Sequence, residues 1–363
     1  MTRRRLDIVI LGLSITSSWG NGHATTYRGL VRELTARGHH VLFLERDMVW
    51  YAHNRDLPQP GHGRTVIYRS VAELKRRFAH AIRDADLVMV GSYVPEGASV
   101  GEWVIRTTRG ISAFYDIDTP VTLARLARGE LEYLNRWLIP RYDLYFSFTG
   151  GPTLERLEQE YGARSALALY CSVDPAIYFP EPVPSRYDLG YMGTYSPDRQ
   201  RQLTHLMLLP ARSWWSGRFV VVGPQYPAAF RWPANVRRIE HLPPANHRAF
   251  YNSQRFTLNL TRADMRQAGF SPSVRLFEAA ACGTPIISDT WDGLADLLCP
   301  GQEVLLAESE TDILAYVRDL PEERRLELGA RARARILAEH TAAHRAAELE
   351  GHVFAALSGQ PAS

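Results

Sequence analysis

The sequence contains few cysteines and no long apolar run. Its 363 residues include Cys171, Cys282 and Cys299, which lie far apart and form neither a CxxC pair nor a Cys/His metal spacing. We expect reduced thiols in a cytoplasmic protein. No stretch approaches the roughly 20 apolar residues that span a bilayer, so no transmembrane segment is predicted. The apolar run from Leu6 to Leu13 is shorter than most signal sequences require and is predicted to be a buried strand.

The sequence also carries little net charge. Its 42 basic and 39 acidic residues give a formal charge of +3, and the basic residues are scattered along the chain. This distribution does not indicate a polyanionic partner, so nucleic acid is not predicted to bind. The oligomeric state is left open.

Short β-rich runs alternate with helix-length amphipathic stretches along most of the chain, which is typical of parallel α/β architecture. Four prolines between positions 175 and 184 favour a stiff connector. We predict an N-terminal Rossmann-like domain over 1–172, a linker over 173–186, a second Rossmann-like domain over 187–340, and a C-terminal helix and tail over 341–363. Whether the C-terminal helices cross back to the first domain is left open. Ligands of such sheets bind beyond the carboxyl ends of the strands, so the cleft between the domains is the expected site.

The stretch from Gly269 to Asp289, GFSPSVRLFEAAACGTPIISD, predicts a helix with a sharp start. Ser271 is the expected N-cap and Pro272 the first helical residue. The backbone amides of the next residues would then be available to an anion such as a diphosphate. These residues are Ser273, Val274 and Arg275.

Glu278 follows Val274 by four positions and Arg275 by three, so these side chains are predicted to share one side of the helix. A carboxylate accepts two hydrogen bonds at once, which suits the vicinal hydroxyls of a ribose. The alternative is an ion pair between Arg275 and Glu278 on a solvated helix face, which would have no role in binding.

Four stretches of the sequence support a resemblance to a known family: SPSVRLFEAAACGTPIISD, LGYMGTYSPDRQRQL, LNLTRADM and DGLADLLCPGQEVLLA. The first closely resembles the C-terminal nucleotide-sugar motif of GT-B fold glycosyltransferases. The larger pattern is similar to the group related to the spore maturation protein CgeB. The resemblance implies two Rossmann-like domains facing across a cleft, and transfer of a sugar from a nucleotide diphosphate, with UDP favoured over TDP or GDP, to a hydroxyl of an unspecified acceptor.

The same resemblance implies roles for particular residues. Glu278 would hold the ribose of the donor, and the helix start from Ser271 to Arg275 would meet the diphosphate. Other donor-binding residues would lie after the strands of the second domain: Gly193, Thr194, Arg199 and Arg262. For both arginines the alternative is an ordinary exposed position.

One position departs from the family pattern. Many retaining relatives carry another glutamate eight positions before the ribose glutamate, where this sequence has Phe270. The acid that would contact the donor sugar is therefore absent. Neither the identity of the sugar nor retention of anomeric configuration can be inherited from those relatives.

The N-terminal half supplies three catalytic candidates. Asp116 and Asp118 follow a predicted strand, where a carboxylate could remove the acceptor proton, and His23 begins the helix after the first strand. The alternatives are an Asx turn before Pro120 for the two aspartates and an ordinary helix-start histidine. Asp-x-Asp is also the metal motif of GT-A glycosyltransferases, but the second phosphate-binding half favours a reaction that requires no metal or other cofactor.

Two rival functions remain open at this point. An NAD(P)-dependent oxidoreductase would place Glu45 on a ribose, but the third glycine of its fingerprint is replaced by Thr25 and the loop after the first strand is long. A protein that binds nucleotide sugars without catalysis would have the same fold, because fold does not establish activity.

Overall fold

Runs of buried β-branched and aromatic residues form the strands of two separate parallel sheets. The computed structural model describes residues 4–130 and 132–359. The chain divides into unit 1, which comprises Met1–Cys171 and Ala342–Ser363, and unit 2, which comprises Ser172–Thr341.

Unit 1 contains a parallel sheet in the order β3-β2-β1-β4-β5-β6-β7. Its strands are β1 (Asp7–Gly12), β2 (His40–Arg46), β3 (Arg64–Tyr68), β4 (Leu87–Gly91), β5 (Ile111–Asp116), β6 (Leu144–Ser147) and β7 (Ala166–Ala168). All five residues of β4 are buried, as expected of a central strand covered on both faces.

Helices cover the sheet of unit 1. They are α1 (His23–Ala36), α2 (Val49–Ala52), α3 (Val71–Asp84), α4 (Gly97–Thr107), α5 (Thr119–Ala127) and α6 (Pro152–Gln159). The apolar residues of α1 are buried, including Tyr27, Leu30 and Leu34.

Unit 2 repeats the arrangement in the order β10-β9-β8-β11-β12-β13. Its strands are β8 (Tyr187–Met192), β9 (Phe219–Val222), β10 (Val236–Ile239), β11 (Gln254–Asn259), β12 (Ile286–Ser288) and β13 (Leu305–Leu306). Its helices are α7 (Gln200–Leu203), α8 (Leu209–Ser213), α9 (His247–Asn252), α10 (Ala263–Ala268), α11 (Val274–Ala281), α12 (Leu294–Leu297), α13 (Glu310–Leu314) and α14 (Glu322–Glu339). The α/β prediction is confirmed for both units.

Helix α11 begins two residues later than the sequence predicted. Ser273, not Ser271, is the N-cap residue, and its backbone is extended. A serine stands on each side of Pro272, and a proline also keeps the residue before it extended, so the local pattern fits either start. Gly283 ends the helix as predicted: its φ is +70°, and its amide donates to the Ala280 carbonyl.

The proline-rich stretch has little regular structure but is held to unit 2. Val173 pairs with Thr341, and the Glu181 amide donates to the Asn252 side chain at 2.8 Å. Tyr178, in the middle of the stretch, is buried. This segment is therefore part of the packing of unit 2.

The last helix, α15 (Ala342–Leu357), belongs to unit 1. It lies against α1, where Gly29 approaches Ala342 so closely that a Cβ on the glycine would lie 3.0 Å from the alanine methyl. The Arg37 Nε donates to Glu350 at 2.6 Å. Among the described helices of both units, none is long and apolar enough to cross a membrane.

Candidate functional site

Each sheet has one point where the strand order reverses, and ligands of parallel α/β sheets bind at that point, beyond the carboxyl ends of the strands. In unit 1 the reversal lies between β1 and β4, and in unit 2 between β8 and β11. The residues that follow these strands are therefore the candidates for ligand contact.

The reversal point of unit 1 brings two of the predicted catalytic residues together. His23 is the first residue of α1, after β1, and Asp118 lies two residues beyond β5. The His23 Nε2 is 3.9 Å from the Asp118 Oδ2. The Asp118 side chain is 12% exposed, whereas the His23 side chain is 24% exposed. The imidazole is thus the more accessible member of a histidine–aspartate pair.

Local hydrogen bonds fix both residues of this pair. The His23 amide donates to the Asn21 side chain at 3.2 Å, which sets the start of α1. Asp118 is the N-cap of α5, and its carbonyl accepts from the Thr122 amide at 2.9 Å. Both side chains therefore start from helix N-termini whose backbone is held by short-range contacts.

Asp116 occupies a different environment from Asp118. It is fully buried, and its carboxylate accepts hydrogen bonds from the Tyr145 hydroxyl at 2.6 Å and the Thr122 hydroxyl at 2.8 Å. Burial raises the pKa of Asp116 to about 6, although these hydrogen bonds oppose the rise. The sequence predicted that both aspartates face a ligand. The structure instead places Asp116 beneath the site, where it holds the loop.

A third residue at this edge was not found from sequence. Tyr93 follows β4 by two positions and donates its hydroxyl to the Asp118 Oδ2 at 2.9 Å. Its φ is +64°, in the left-handed region that a tyrosine rarely adopts and that costs about 1–3 kcal/mol. No local sequence signal predicts such a backbone, because the surrounding packing imposes it.

The loop after β1 is held by Glu45, at the end of β2. This carboxylate is fully buried and accepts hydrogen bonds from the amides of Ile15 and Thr16 at 2.8 and 3.0 Å, and from the Thr16 hydroxyl at 2.6 Å. A dinucleotide-binding protein would need this acid for a ribose. Because the loop already occupies this carboxylate, Glu45 no longer supports the oxidoreductase alternative.

At the reversal point of unit 2, Arg275 links the last residues of two strands. Its Nε donates to the Met192 carbonyl of β8 at 2.6 Å, and its Nη1 donates to the Asn259 side chain of β11 at 2.7 Å. The guanidinium also lies 5.0 Å from the centre of the Tyr191 ring. Arg275 is only 7% exposed, so a positive charge is fixed at the carboxyl edge of this sheet.

The start of α11 lies at the same edge. The Ser273 hydroxyl donates to the Asn259 side chain at 2.9 Å, so it does not cap the helix amides. The amides of Val274 and Arg275 have no partner within the helix, whereas the Leu276 amide donates to the Ser273 carbonyl at 3.1 Å. Ser271 is buried two residues before the cap. The predicted anion site therefore begins at Val274.

Glu278 faces a different neighbour from Arg275. Its carboxylate accepts from the Tyr251 hydroxyl at 2.9 Å and lies 3.8 Å from the His247 ring. Burial, assisted by the Glu278 charge, raises the pKa of both Tyr178 and Tyr251 well above the ordinary range. Glu278 is 3% exposed. No ion pair joins Arg275 to Glu278 among the described residues, so the surface ion pair considered above is absent.

The remaining predicted donor residues lie around the end of β8. A Cβ on Gly193 would lie 2.3 Å from the Tyr191 hydroxyl and 3.2 Å from the Arg275 Nη2. Packing against these side chains therefore requires a glycine here even without a ligand. Arg199 donates to the Thr194 carbonyl at 2.6 Å. The Arg262 Nε is 4.0 Å from Asp198. Gly193, Thr194 and Arg275 are thus brought together, and Arg199 is tied to them.

Phe270, which precedes α11 in unit 2, also has an unusual backbone. Its φ is +48°, and its amide donates to the Asp292 carbonyl at 2.5 Å. A Cβ on Gly293 would lie 2.4 Å from the Phe270 ring. The aromatic ring therefore occupies the place next to the loop after β12, at the position where many relatives carry an acid.

The described residues contain no group of three or more His, Cys, Asp or Glu side chains that could hold a metal ion. The expectation that the protein requires no metal or other cofactor stays a prediction.

Two parallel Rossmann-like sheets, each with one reversal of strand order, have the architecture of the GT-B fold, as predicted. Residues 199–351 match the family model described as glycosyl transferase-like. No curated protein matches the sequence. The narrower resemblance to the CgeB-related group is not confirmed.

Solved structures support this fold over nearly the whole chain. Sucrose-phosphate synthase from Thermosynechococcus elongatus is 15% identical, with a TM-score of 0.70, and the match covers 98% of this chain and 100% of that chain. Anabaena HepE in complex with UDP-glucose is 12% identical, with a TM-score of 0.71 and the same coverage. An alpha-glucosyltransferase in complex with UDP is 11% identical, with a TM-score of 0.71, covering 96% of this chain and 100% of that chain.

One similar structure bears on the predicted partners. An alpha-glucosyltransferase solved with UDP and a 13-mer DNA is 12% identical to this chain, with a TM-score of 0.66, and the match covers 93% of this chain and 96% of that chain. The prediction that nucleic acid is not a partner is therefore not supported by the comparisons.

Proposed function

We propose that this protein is a glycosyltransferase that moves a sugar from a nucleotide diphosphate sugar, with UDP as the favoured nucleotide, to a hydroxyl of an acceptor. The observation that carries the proposal is Arg275: a buried cation at the reversal point of unit 2, beside the start of α11. The glycosyl transferase-like match over 199–351 and the UDP complexes of HepE and of the alpha-glucosyltransferase support the same conclusion.

On the donor side, the diphosphate would lie against Arg275 and the first-turn amides of α11. These groups, with Arg199 and Arg262 nearby, would stabilise the negative charge that develops on the leaving diphosphate. Glu278 would accept hydrogen bonds from the ribose hydroxyls. Fixed positive charge would take the place of a metal ion, so we propose that no metal is required.

On the acceptor side, the His23 imidazole would remove the proton from the attacking hydroxyl. As the acceptor oxygen bonds to the anomeric carbon, the bond from that carbon to the diphosphate breaks and the nucleotide diphosphate leaves. Asp118 would stabilise the imidazolium that forms, because its carboxylate lies 3.9 Å away. Asp116 would support the loop from beneath and would not contact the acceptor.

A thermal-shift screen followed by a turnover assay tests the proposal. Binding to the folded state alone raises the melting temperature, and a ligand at 100 times its Kd adds about 2.7 kcal/mol of stability. We expect UDP and one UDP-sugar to raise the melting temperature more than other nucleotides do. Arg275→Lys should reduce this shift, because a lysine cannot reach both strand ends and still present a donor to the ligand.

Arg218→Lys is the matched control, since Arg218 pairs with Asp188 at a distance from the proposed site, at the start of β9. The turnover assay would measure UDP release with and without acceptors, and the acceptors screened should include nucleic acid. Saturable UDP binding without any turnover would favour a non-catalytic binding protein. If no nucleotide changes the melting temperature, the proposed function is refuted.

A further inference from the structure

Tyr93 has three structural features that the proposed mechanism does not yet use. It lies directly beyond β4, at the reversal point of unit 1, and it keeps a left-handed backbone with φ of +64°. Its hydroxyl donates to Asp118, one member of the histidine–aspartate pair. Left-handed backbone at a bulky residue persists only where the surrounding structure holds it, and such positions cluster at functional sites.

The surroundings of Tyr93 hold it from two sides. Its ring lies against Tyr133, with 4.8 Å between the ring centres. The preceding residue, Ser92, donates its amide to the Tyr115 carbonyl and accepts the Ile117 amide on its hydroxyl, so the end of β4 is fastened to the end of β5. The phenol is therefore aimed at Asp118 by fixed neighbours on the adjacent strand.

The hydroxyl of Tyr93 and the imidazole of His23 approach the same carboxylate atom. The Asp118 Oδ2 accepts from Tyr93 at 2.9 Å and lies 3.9 Å from the His23 Nε2. We propose that Tyr93 is a positioning residue, which fixes the Asp118 carboxylate and moderates the charge that it presents to His23. This role rests on the proposed function of His23 as the proton acceptor.

Tyr93 acts as a donor only. Burial and the nearby Asp118 charge raise the pKa of its hydroxyl, so the phenol stays protonated. Two further titratable groups interact with Asp118, namely Asp116 on β5 and Tyr133 beside α5. Neither donates to the Asp118 Oδ2. Loss of the Tyr93 hydroxyl would therefore leave that oxygen with more of its negative charge available to His23.

Titration of His23 by NMR tests this role without depending on catalysis. Histidine-labelled protein would be compared as wild type, Tyr93→Phe and Tyr133→Phe, with His23→Asn to assign the signal. We expect Tyr93→Phe to raise the pKa of His23 by about 0.5 to 1 unit, because the carboxylate charge favours the imidazolium. Tyr133→Phe is matched in chemistry and location, but its hydroxyl lies against Thr122 and should leave that pKa unchanged.

Steady-state kinetics give a second readout. In Tyr93→Phe, kcat should fall about tenfold, and KM for the UDP-sugar should remain unchanged. The acidic limb of the kcat/KM profile should move to higher pH together with the His23 pKa. A His23 pKa that stays at the wild-type value, or falls, would overturn the positioning role. A wild-type protein without turnover would instead defeat the proposed function, and the NMR result would still decide whether Tyr93 controls His23.

Discussion

Replacement of Glu278 separates its structural role from its proposed role in nucleotide binding. The carboxylate is buried and accepts the Tyr251 hydroxyl at 2.9 Å. Glu278→Ala would leave that buried hydroxyl without its acceptor and would open a small cavity. We expect a loss of about 3 kcal/mol in the free energy of unfolding, from the unsatisfied donor and the missing side-chain volume. An alanine variant alone would therefore confuse stability with binding.

Glu278→Gln is the sharper perturbation. The amide oxygen can still accept from Tyr251, so the free energy of unfolding should fall by only about 1 kcal/mol. The carboxylate can accept both hydroxyls of a ribose in addition to Tyr251, whereas the amide oxygen has two lone pairs and, with Tyr251 on one of them, can accept only one ribose hydroxyl. We expect UDP to bind about 10- to 100-fold more weakly, which corresponds to about 1.4 to 3 kcal/mol.

Calorimetry with UDP and its 2′,3′-dideoxy analogue, combined with chemical denaturation, would measure both effects. The wild type should prefer UDP, and Glu278→Gln should lose most of that preference. Tyr251→Phe provides the matched control: it removes the structural partner, should lower stability, and should retain the preference for UDP. If Glu278→Gln keeps both the affinity and the preference, the carboxylate serves Tyr251 alone and the ribose assignment is wrong.

Three further predictions concern stability and cofactor use. Because burial raises the pKa of Asp116 from 3.8 to about 6, the folded state retains a proton that the unfolded chain loses, and stability should fall by about 3 kcal/mol as pH rises through this window. Asp116→Asn should abolish this slope in denaturation curves, and a slope that persists would contradict the assignment. Glu45→Gln should cost about 1–3 kcal/mol and expose the loop before His23 to limited proteolysis, because one acceptor oxygen is replaced by an amide nitrogen that must face either the Thr16 hydroxyl or the two backbone amides; an unchanged cleavage pattern would refute this. Sugar transfer should survive EDTA, and strict dependence on Mn²⁺ would return Asp118 to a metal role.

The sheets were predictable because their central strands are buried on both faces. A run such as Asp7–Gly12 then consists almost entirely of apolar residues, and turn residues mark where it ends. The start of α11 was less certain, since its cap depends on which serine beside Pro272 adopts the extended backbone. The family pattern identified Arg275 as a residue at the edge of the sheet in unit 2. It did not reveal the two strand ends that Arg275 contacts.

Contacts between distant positions could not be derived from one sequence. His23 and Asp118 belong to different strand–helix units, and their pairing depends on β1, β4 and β5 lying side by side. The same holds within α11, where Arg275 and Glu278 are three positions apart. An offset of this size leaves the two side chains about 60° apart around the helix axis, enough for one to reach strand ends and the other to reach α9.

Phe270, which departs from the family pattern, packs against a second position, Gly293. The sequence revealed that an acid was missing, but not what replaced it. In the structure the Phe270 ring occupies the space that a Cβ on Gly293 would need, and Gly293 itself has a φ of +87°. The aromatic ring therefore requires a glycine at position 293. A glutamate at position 270 would lose this ring packing and leave the Gly293 loop without its aromatic neighbour.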